Sequence, residues 1–352
     1  MVDFFIKKYC MHSFYFATLL DKNYISRASV MINSLQRNSA NNIHFFILSL
    51  DNYVVDFFSK NSNVSILNVA DLEYEFPELL EAKMNRSKVE YLFTLSPFLP
   101  LYILLKNKQI DRITTLDSDL FFLSDPIPFI KDLGHEYIGI TQHGYGADLI
   151  HLNNFGKFNV SFQSFPNTSE GISCLSDWGV DCIDYCGDKV DQIGRFGDQK
   201  YLDNWEIRYK NVVNFPIPYI GLAPWNVKYS NVTFSDNKFT LNDKPILFYH
   251  FHKFKLLNNK IFIHGLHYFN VNTLPVWLKV LYSIYWFELR KAELFKNFKL
   301  KITSTYNDNR FSYNSLIKSL LQFAFGIEAF GKVFFFNFRK YSKYYLLIKN
   351  KI

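Results

Sequence analysis

Residues 113–126 read Ile113-Thr-Thr-Leu-Asp117-Ser-Asp119-Leu-Phe-Phe-Leu-Ser-Asp-Pro126. Two carboxylates, one residue apart, close an apolar, β-branched run. The run predicts a buried strand, and Asp125-Pro126 ends the segment. Alternate side chains of an extended chain share a side, so Asp117 and Asp119 fall together. Two like charges side by side repel unless a cation lies between them. Hard oxygen donors suit Mn²⁺ or Mg²⁺, which keep open positions for phosphate oxygens. The pair is therefore a candidate metal–diphosphate site. A strand that ends in a solvated acidic turn would look the same in so short a motif.

The flanking sequence sets the fold class. Phe14–Leu20, Ile43–Leu50 and Val64–Val69 read as buried strands. Asp21–Tyr24 is a turn, and Ser26 is the expected N-cap of a helix through Gln36. A further helix is expected near Tyr53–Lys60. A long helical stretch is expected over Glu78–Leu105, broken around Pro97 and Pro100. Strands follow at Tyr137–Thr141, 156–165 and Pro245–Lys253, with helices near Gly171–Tyr185 and Lys200–Trp205. Alternation of strands and helices predicts an α/β fold with a mainly parallel sheet covered on both faces. In such sheets ligands bind beyond the carboxyl ends of the strands, where Asp21–Tyr24 and Asp117–Asp119 both fall.

Charge divides the chain unevenly. The 352 residues carry +7 overall, yet from residue 273 onward there are 14 Lys+Arg against 4 Asp+Glu. An ordinary, slightly acidic domain at 1–272 is expected to precede a basic, aromatic extension at 273–352, which suits an anionic partner. The aromatic content of 19% is read as compositional bias of the source. Cys10, Cys174, Cys182 and Cys186 form no Cys-x-x-Cys and are expected to be reduced thiols of a cytoplasmic protein. No signal peptide is expected at Met1–Lys8, and no spanning helix. A Walker loop, a Gly-x-Gly-x-x-Gly after the first strand and a Gly-x-Ser-x-Gly are all absent, which argues against the corresponding nucleotide-binding and hydrolase classes.

Other candidates lie downstream. His250 and His252 sit one residue apart at a strand end, and imidazole ligates Mn²⁺ as well as softer metals. Lys253 beside them could neutralise a diphosphate. Asp198-Gln199 opens a helix, either as a cap or as a carboxylate and amide facing a pocket. Arg86 and Lys88 begin the helix that leads to the Asp-x-Asp strand, as phosphate ligands or as a solvated helix start. Trp225, in Ala223-Pro-Trp-Asn226, is read as core packing in preference to sugar stacking.

Seven segments now occur in order: Tyr15–Ser26, Thr94–Phe98, Leu116–Phe122, Phe158–Phe162, Phe196–Leu202, Leu222–Asn226 and Tyr249–His252. The set resembles the GT-A nucleotide-diphospho-sugar glycosyltransferases, and most of all bacterial relatives of glycosyltransferase family 8, over residues 13–255. The resemblance implies a GT-A, Rossmann-like fold and sugar transfer from a nucleotide-diphosphate donor to a glycan or lipid-linked acceptor with Mn²⁺ or Mg²⁺. It implies that Asp117 and Asp119 hold the metal, completed by His250 or His252, and that Asp198 and Gln199 lie beside the transferred sugar. Donor contacts are expected from Thr18, Asp21, Tyr24, Arg86, Lys88, Asp117, Ser118, Asn159, Trp225, Asn226 and Lys253. Family 8 retains anomeric configuration, so retention is expected. The usual ending, a His followed by a Gly- and Lys-containing Pro-Trp segment, is here His-Phe-His-Lys-Phe-Lys, a departure that bears on stereochemistry more than on chemistry. The alternatives are a sugar nucleotidyltransferase, which would carry a Gly-rich loop where Leu19–Asn23 stands, and a non-catalytic glycan-binding or scaffold protein.

In the extension, Leu316, Leu320, Phe323, Ile327, Phe330 and Phe334 mark one helix face, with Lys318, Lys332, Arg339, Lys340 and Lys343 nearby. Leu274–Leu289 is similar. An interfacial helix pair on an anionic membrane surface, peripheral at the inner face of the cell membrane, is the expected role. A helical bundle packed on the catalytic domain is the other reading. No nucleic-acid module is recognised.

Overall fold

The computed structural model describes residues 13–217, 219–256 and 262–307. The chain begins β1 (Ser13–Leu20), α1 (Ile25–Asn38), β2 (Asn42–Ser49), α2 (Asn52–Phe58), β3 (Val64–Asn68), α3 (Val69–Glu75), α4 (Glu78–Asn85) and α5 (Lys88–Lys106). It continues with β4 (Arg112–Leu116), β5 (Leu120–Phe122), α6 (Ile127–Asp132), β6 (Ile138–Gln142), β7 (Phe158–Pro166), α7 (Ser169–Asp184), α8 (Trp205–Arg208) and β8 (Val212–Asn214). Then come β9 (Val232–Ser235), β10 (Lys238–Leu241), β11 (Lys244–Pro245), β12 (Phe248–His250), β13 (Lys255–Leu256), β14 (Phe262–Ile263) and α9 (Val276–Asn307).

Seven strands form one mixed, mainly parallel sheet in the order β3-β2-β1-β4-β7-β6-β8. Only β7 runs against its neighbours, β4 and β6. Its first residues therefore arrive at the edge where the parallel strands end. β1 is central, and consecutive residues Phe16 and Ala17 are both fully buried, as expected of a strand covered on both faces. One layer packs α5 and α7 on the sheet through Leu95, Phe98, Phe165, Trp178 and Trp205. The opposite layer packs α1 and α2 through Met31, Leu35, Phe57 and Phe58 against Phe16 and Phe45.

Two expectations about helices are corrected. The stretch from Glu78 breaks at Arg86-Ser87, not at the prolines. Ser87 Oγ accepts from the Glu90 N–H at 3.3 Å and Glu90 Oε2 accepts from the Ser87 N–H at 2.8 Å, a reciprocal cap that starts α5 anew. Pro97 and Pro100 lie inside α5, which runs on through both although each lacks the N–H that a helix uses. By length and composition α5 could span a bilayer, but 56% of its most apolar window is buried in the domain. Likewise Ser26 is not the cap of α1. Tyr24 holds that position without a side-chain bond, and the Ser26 hydroxyl donates to Glu293 of α9 at 2.5 Å.

That last contact bears on the extension. α9 lays Leu278, Leu281, Tyr282, Tyr285 and Leu289 into a third apolar cluster with Phe121, Trp225, Tyr249 and Phe251. Arg37 of α1 reaches Glu288 at 3.6 Å. The Leu274–Leu289 half of the proposed membrane-docking pair thus uses its apolar face on the domain. The face at 316–334 lies outside the described residues. The Leu289→Ala variant is expected to lower the stability of the whole domain by about 2–5 kcal/mol in one cooperative urea transition. An unchanged midpoint would show that α9 does not belong to this core.

Candidate metal centre

The site lies where β4 and β1 end. After Leu116 the chain leaves the sheet, and the Asp117 N–H donates to the Ser161 carbonyl at 2.9 Å. Three residues later it enters β5, which pairs antiparallel with β12 and sets Leu120 opposite His250. The Phe251 N–H closes the same ladder on the Asp119 carbonyl at 3.0 Å, and the His250 N–H donates to Leu222 at 2.8 Å. This register carries His250 Nε2 to 3.0 Å from Asp119 Oδ1 and 3.6 Å from Asp117 Oδ2. One donor atom from each of Asp117, Asp119 and His250 falls within 4.8 Å of the others. Two hard oxygens and one imidazole nitrogen fit a Mn²⁺- or Mg²⁺-like cation.

Electrostatics agree with such a cluster. Burial lowers the basicity of His250, but Asp119 and Asp117 outweigh it and its pKa rises. Burial also opposes charge on Asp119, yet His250 holds it well below the usual carboxylate range. Asp117 moves the other way, raised by desolvation, opposed by His250 and reinforced by Asp119. One carboxylate is thus firmly ionised, and the second ionises less readily, a bias that a bound cation would oppose.

Of the two histidines, the geometry selects His250. β12 ends there, so His252 lies outside the strand, and Lys253 turns the backbone into the left-handed region at φ 61°. His252 packs edge-on to Trp225 with centroids 5.5 Å apart, and burial followed by His250 lowers its pKa to about 4. Lys253 is close enough to His252 to contribute to that lowering.

Asp198 stands behind this group. Gly197, at φ 49°, makes the turn that delivers it, with the Gly197 N–H on the Gly187 carbonyl at 2.9 Å. Trp178 Nε1–H donates to the Asp198 carbonyl at 2.8 Å. The carboxyl is buried, is hydrogen-bonded by Ser96, and leaves Oδ2 without a partner. Burial is the main cause of its rise to about 7, with a further upward push from Asp117. Gln199 lies beside it, and its amide donates to the Phe155 carbonyl at 2.7 Å.

The remaining sequence candidates separate into two groups. Thr18 and Ser118 meet at 3.0 Å between the ends of β1 and β4. Asp21 accepts from Asn23 and pairs with Lys88 at 2.5 Å, which joins two predicted donor residues. Tyr24 is near enough that, after burial, Asp119 raises its pKa. The others are engaged by the protein itself. Arg86 bonds Thr94 and the Ile183 carbonyl, tying α5 to α7. Asn159 donates to the Gln142 carbonyl and accepts from Ser161. Asn226 accepts from the Ala223 N–H and donates to the carbonyls of His143 and Gly221. Trp225 is core packing, as read from sequence: it is buried, and its indole N–H donates to His143 at 2.6 Å.

Three nearby residues were not foreseen. Arg27 stacks on Tyr24 at 4.9 Å, bonds the Phe254 carbonyl at 3.1 Å and acts electrostatically on Asp119. His143 is buried, stacked on Tyr145 and edge-on to Trp225. Ser96 touches Asp198 from α5. His143 follows a strand's carboxyl end and Arg27 opens the helix after one, and that shared position was the available signal.

No family model matches the chain. It is 29% identical over 254 residues to the uncharacterized protein YfnD of Bacillus subtilis (strain 168), covering 72% of this chain and 81% of that one. YfnF of the same organism is 27% identical over 252 residues, covering 69% and 82%. Similar solved structures include mouse xyloside xylosyltransferase 1 (TM-score 0.46, 15% identity, 69% of this chain and 98% of that one). Another is the galactosyltransferase LgtC with donor and acceptor sugar analogs (TM-score 0.44, 14% identity, 76% and 99%). These solved neighbours are glycosyltransferases.

Asp198 yields a pH prediction. In the unfolded chain a carboxyl of its kind titrates at about 3.9. Between there and about 7 the native protein holds the extra proton. Metal-free stability therefore falls as pH rises through that window and levels off above it. Asp117 shares this sign, whereas Asp119 has the opposite one, so the comparison is with a single variant. Asp198→Asn is expected to flatten the slope and to be the more stable protein at pH 8, by urea unfolding in EDTA. Parallel profiles for the two proteins would refute the assignment.

Proposed function

We propose that the chain is a metal-dependent glycosyltransferase that moves a sugar from a nucleotide diphosphate to a glycan or lipid-linked hydroxyl. The observation that carries this reading is the convergence of Asp117, Asp119 and His250 within 4.8 Å at the carboxyl edge of the sheet, with the Asp198 carboxyl near enough for Asp117 to act on it. The ordered sequence resemblance supports the same chemistry.

Asp117, Asp119 and His250 would hold the cation, which when bound offsets the charge that builds on a departing diphosphate. Arg27 and Lys88 supply fixed positive charge on the same side. Thr18, Asp21 and Tyr24 line the end of β1 where the nucleoside would lie. As the bond from the sugar carbon to the diphosphate breaks, positive charge grows at that carbon, and the Asp198 carboxyl can stabilise it. The acceptor oxygen bonds to the carbon, and its proton leaves for the diphosphate or for Asp198. Retention of configuration is part of the proposal, read by the anomeric signal of the product.

The test is a screen of UDP-, GDP- and dTDP-sugars for Mn²⁺-dependent hydrolysis. One donor is expected to be cleaved, and Asp119→Asn is expected to cut the rate by about 10²–10³. If no nucleotide diphosphate with Mn²⁺ shifts the melting temperature, and Asp117→Ala changes nothing, the enzyme reading fails.

A further inference from the structure

The described part of α9 meets the metal centre from behind through Tyr282 and Tyr285. The Tyr285 ring lies flat on Phe251, with centroids 3.6 Å and planes 7° apart. Phe251 is the residue between His250 and His252, and its N–H is the one bound to the Asp119 carbonyl. The Tyr285 ring therefore presses on the residue whose backbone joins the histidine side of the cluster to its acidic side. Phe251 is held on other sides by Phe121, Tyr249 and Tyr282. Tyr285 also stands edge-on to Phe121, the residue that pairs with Tyr249 across β5 and β12. The same side chain thus braces β5, which follows directly on Asp119, and the residue directly after His250.

Tyr285 is fully buried, and its hydroxyl has no hydrogen-bond partner among the described residues. What Tyr285 brings to Phe251 is its ring and not a polar contact. Its position is close to the chemistry, because Arg27, Asp119 and Tyr24 all act on it electrostatically. Leu289, one turn further along α9, is buried in the same apolar cluster.

We propose that α9 is a component of the metal centre and that Tyr285 is a positioning residue: by stacking on Phe251 it sets the separation of His250 from Asp119. This rests on the metal site proposed above. It places the first part of the basic extension inside the working enzyme, where its removal would cost metal affinity as well as stability. Loss of a support behind a metal ligand commonly weakens binding by 10–100-fold.

The full chain and its variants are titrated with Mn²⁺ alone, with free Mn²⁺ followed by electron paramagnetic resonance. Tyr285→Leu, which keeps bulk and loses the flat stack, is expected to weaken binding about ten-fold. Tyr285→Phe is expected to restore wild-type affinity. Phe251→Leu removes the same stack with α9 intact and is expected to match Tyr285→Leu, which keeps the test open if the latter does not fold. Leu289→Ala, which loosens α9 away from Phe251, is expected to lower the melting temperature and leave Mn²⁺ affinity within about two-fold. Wild-type affinity in Phe251→Leu or Tyr285→Leu overturns the proposal, as does an equal loss in Leu289→Ala. Asp119→Asn separates the two readings. If the wild type binds no Mn²⁺, the metal site itself fails and this inference with it. If Asp119→Asn abolishes binding that Tyr285→Leu leaves intact, only the role of Tyr285 is lost.

Discussion

Six residues hold the centre of this molecule together: Leu120–Phe122 paired with Phe248–His250. The pairing is short, yet it decides which residue of the later strand faces the acids. Slipping it by one position would turn His250 away and bring a neighbour of the opposite face forward. The acidic pair alone is a local repulsion, and an imidazole at 3.0 Å is what turns it into a candidate ligand set. The ladder is extended at both ends by backbone bonds, from Phe251 to Asp119 and from Leu123 to Leu247. So short an element is stable because other structure grips it.

That grip is aromatic. Trp225 stands edge-on to both His250 and His252, and its indole N–H fixes the chain at His143. Phe121, Tyr249, Phe251, Tyr282 and Tyr285 form the rest of the packing behind the strands. Edge-to-face and stacked rings set geometry more tightly than aliphatic contacts of the same area. The high aromatic content, read at first as compositional bias, has a local structural use here.

What could be seen in the sequence followed from periodicity and from strand ends. The alternation of strands and helices, the buried strand that runs up to the Asp-x-Asp and the placement of Asp21 and Asp117 at carboxyl edges came from patterns that local chemistry dictates. The break at Ser87 was visible in principle, since Ser87 and Glu90 have cap spacing, but two prolines downstream gave the louder signal. Choosing His250 over His252 was beyond reach, because it depends on where β12 ends and that is set by β5, 130 residues earlier. The same holds for Asn159 and Asn226. Which backbone groups an amide fastens is settled only once the chain is folded around it.

The reversed strand and the late helix together impose an order on synthesis. Everything through β8 can form the large sheet as the chain emerges, with Asp117 and Asp119 already at its edge. The imidazole arrives only with β12, and the apolar backs of Tyr249 and Phe251 remain bare until α9 follows. A chain that holds β12 but not yet α9 therefore leaves the rings of Tyr249 and Phe251 uncovered behind the histidine and the acidic pair. The packing behind the acidic pair is for that reason assembled from the two ends of the described chain, and α9 supplies the part that covers it.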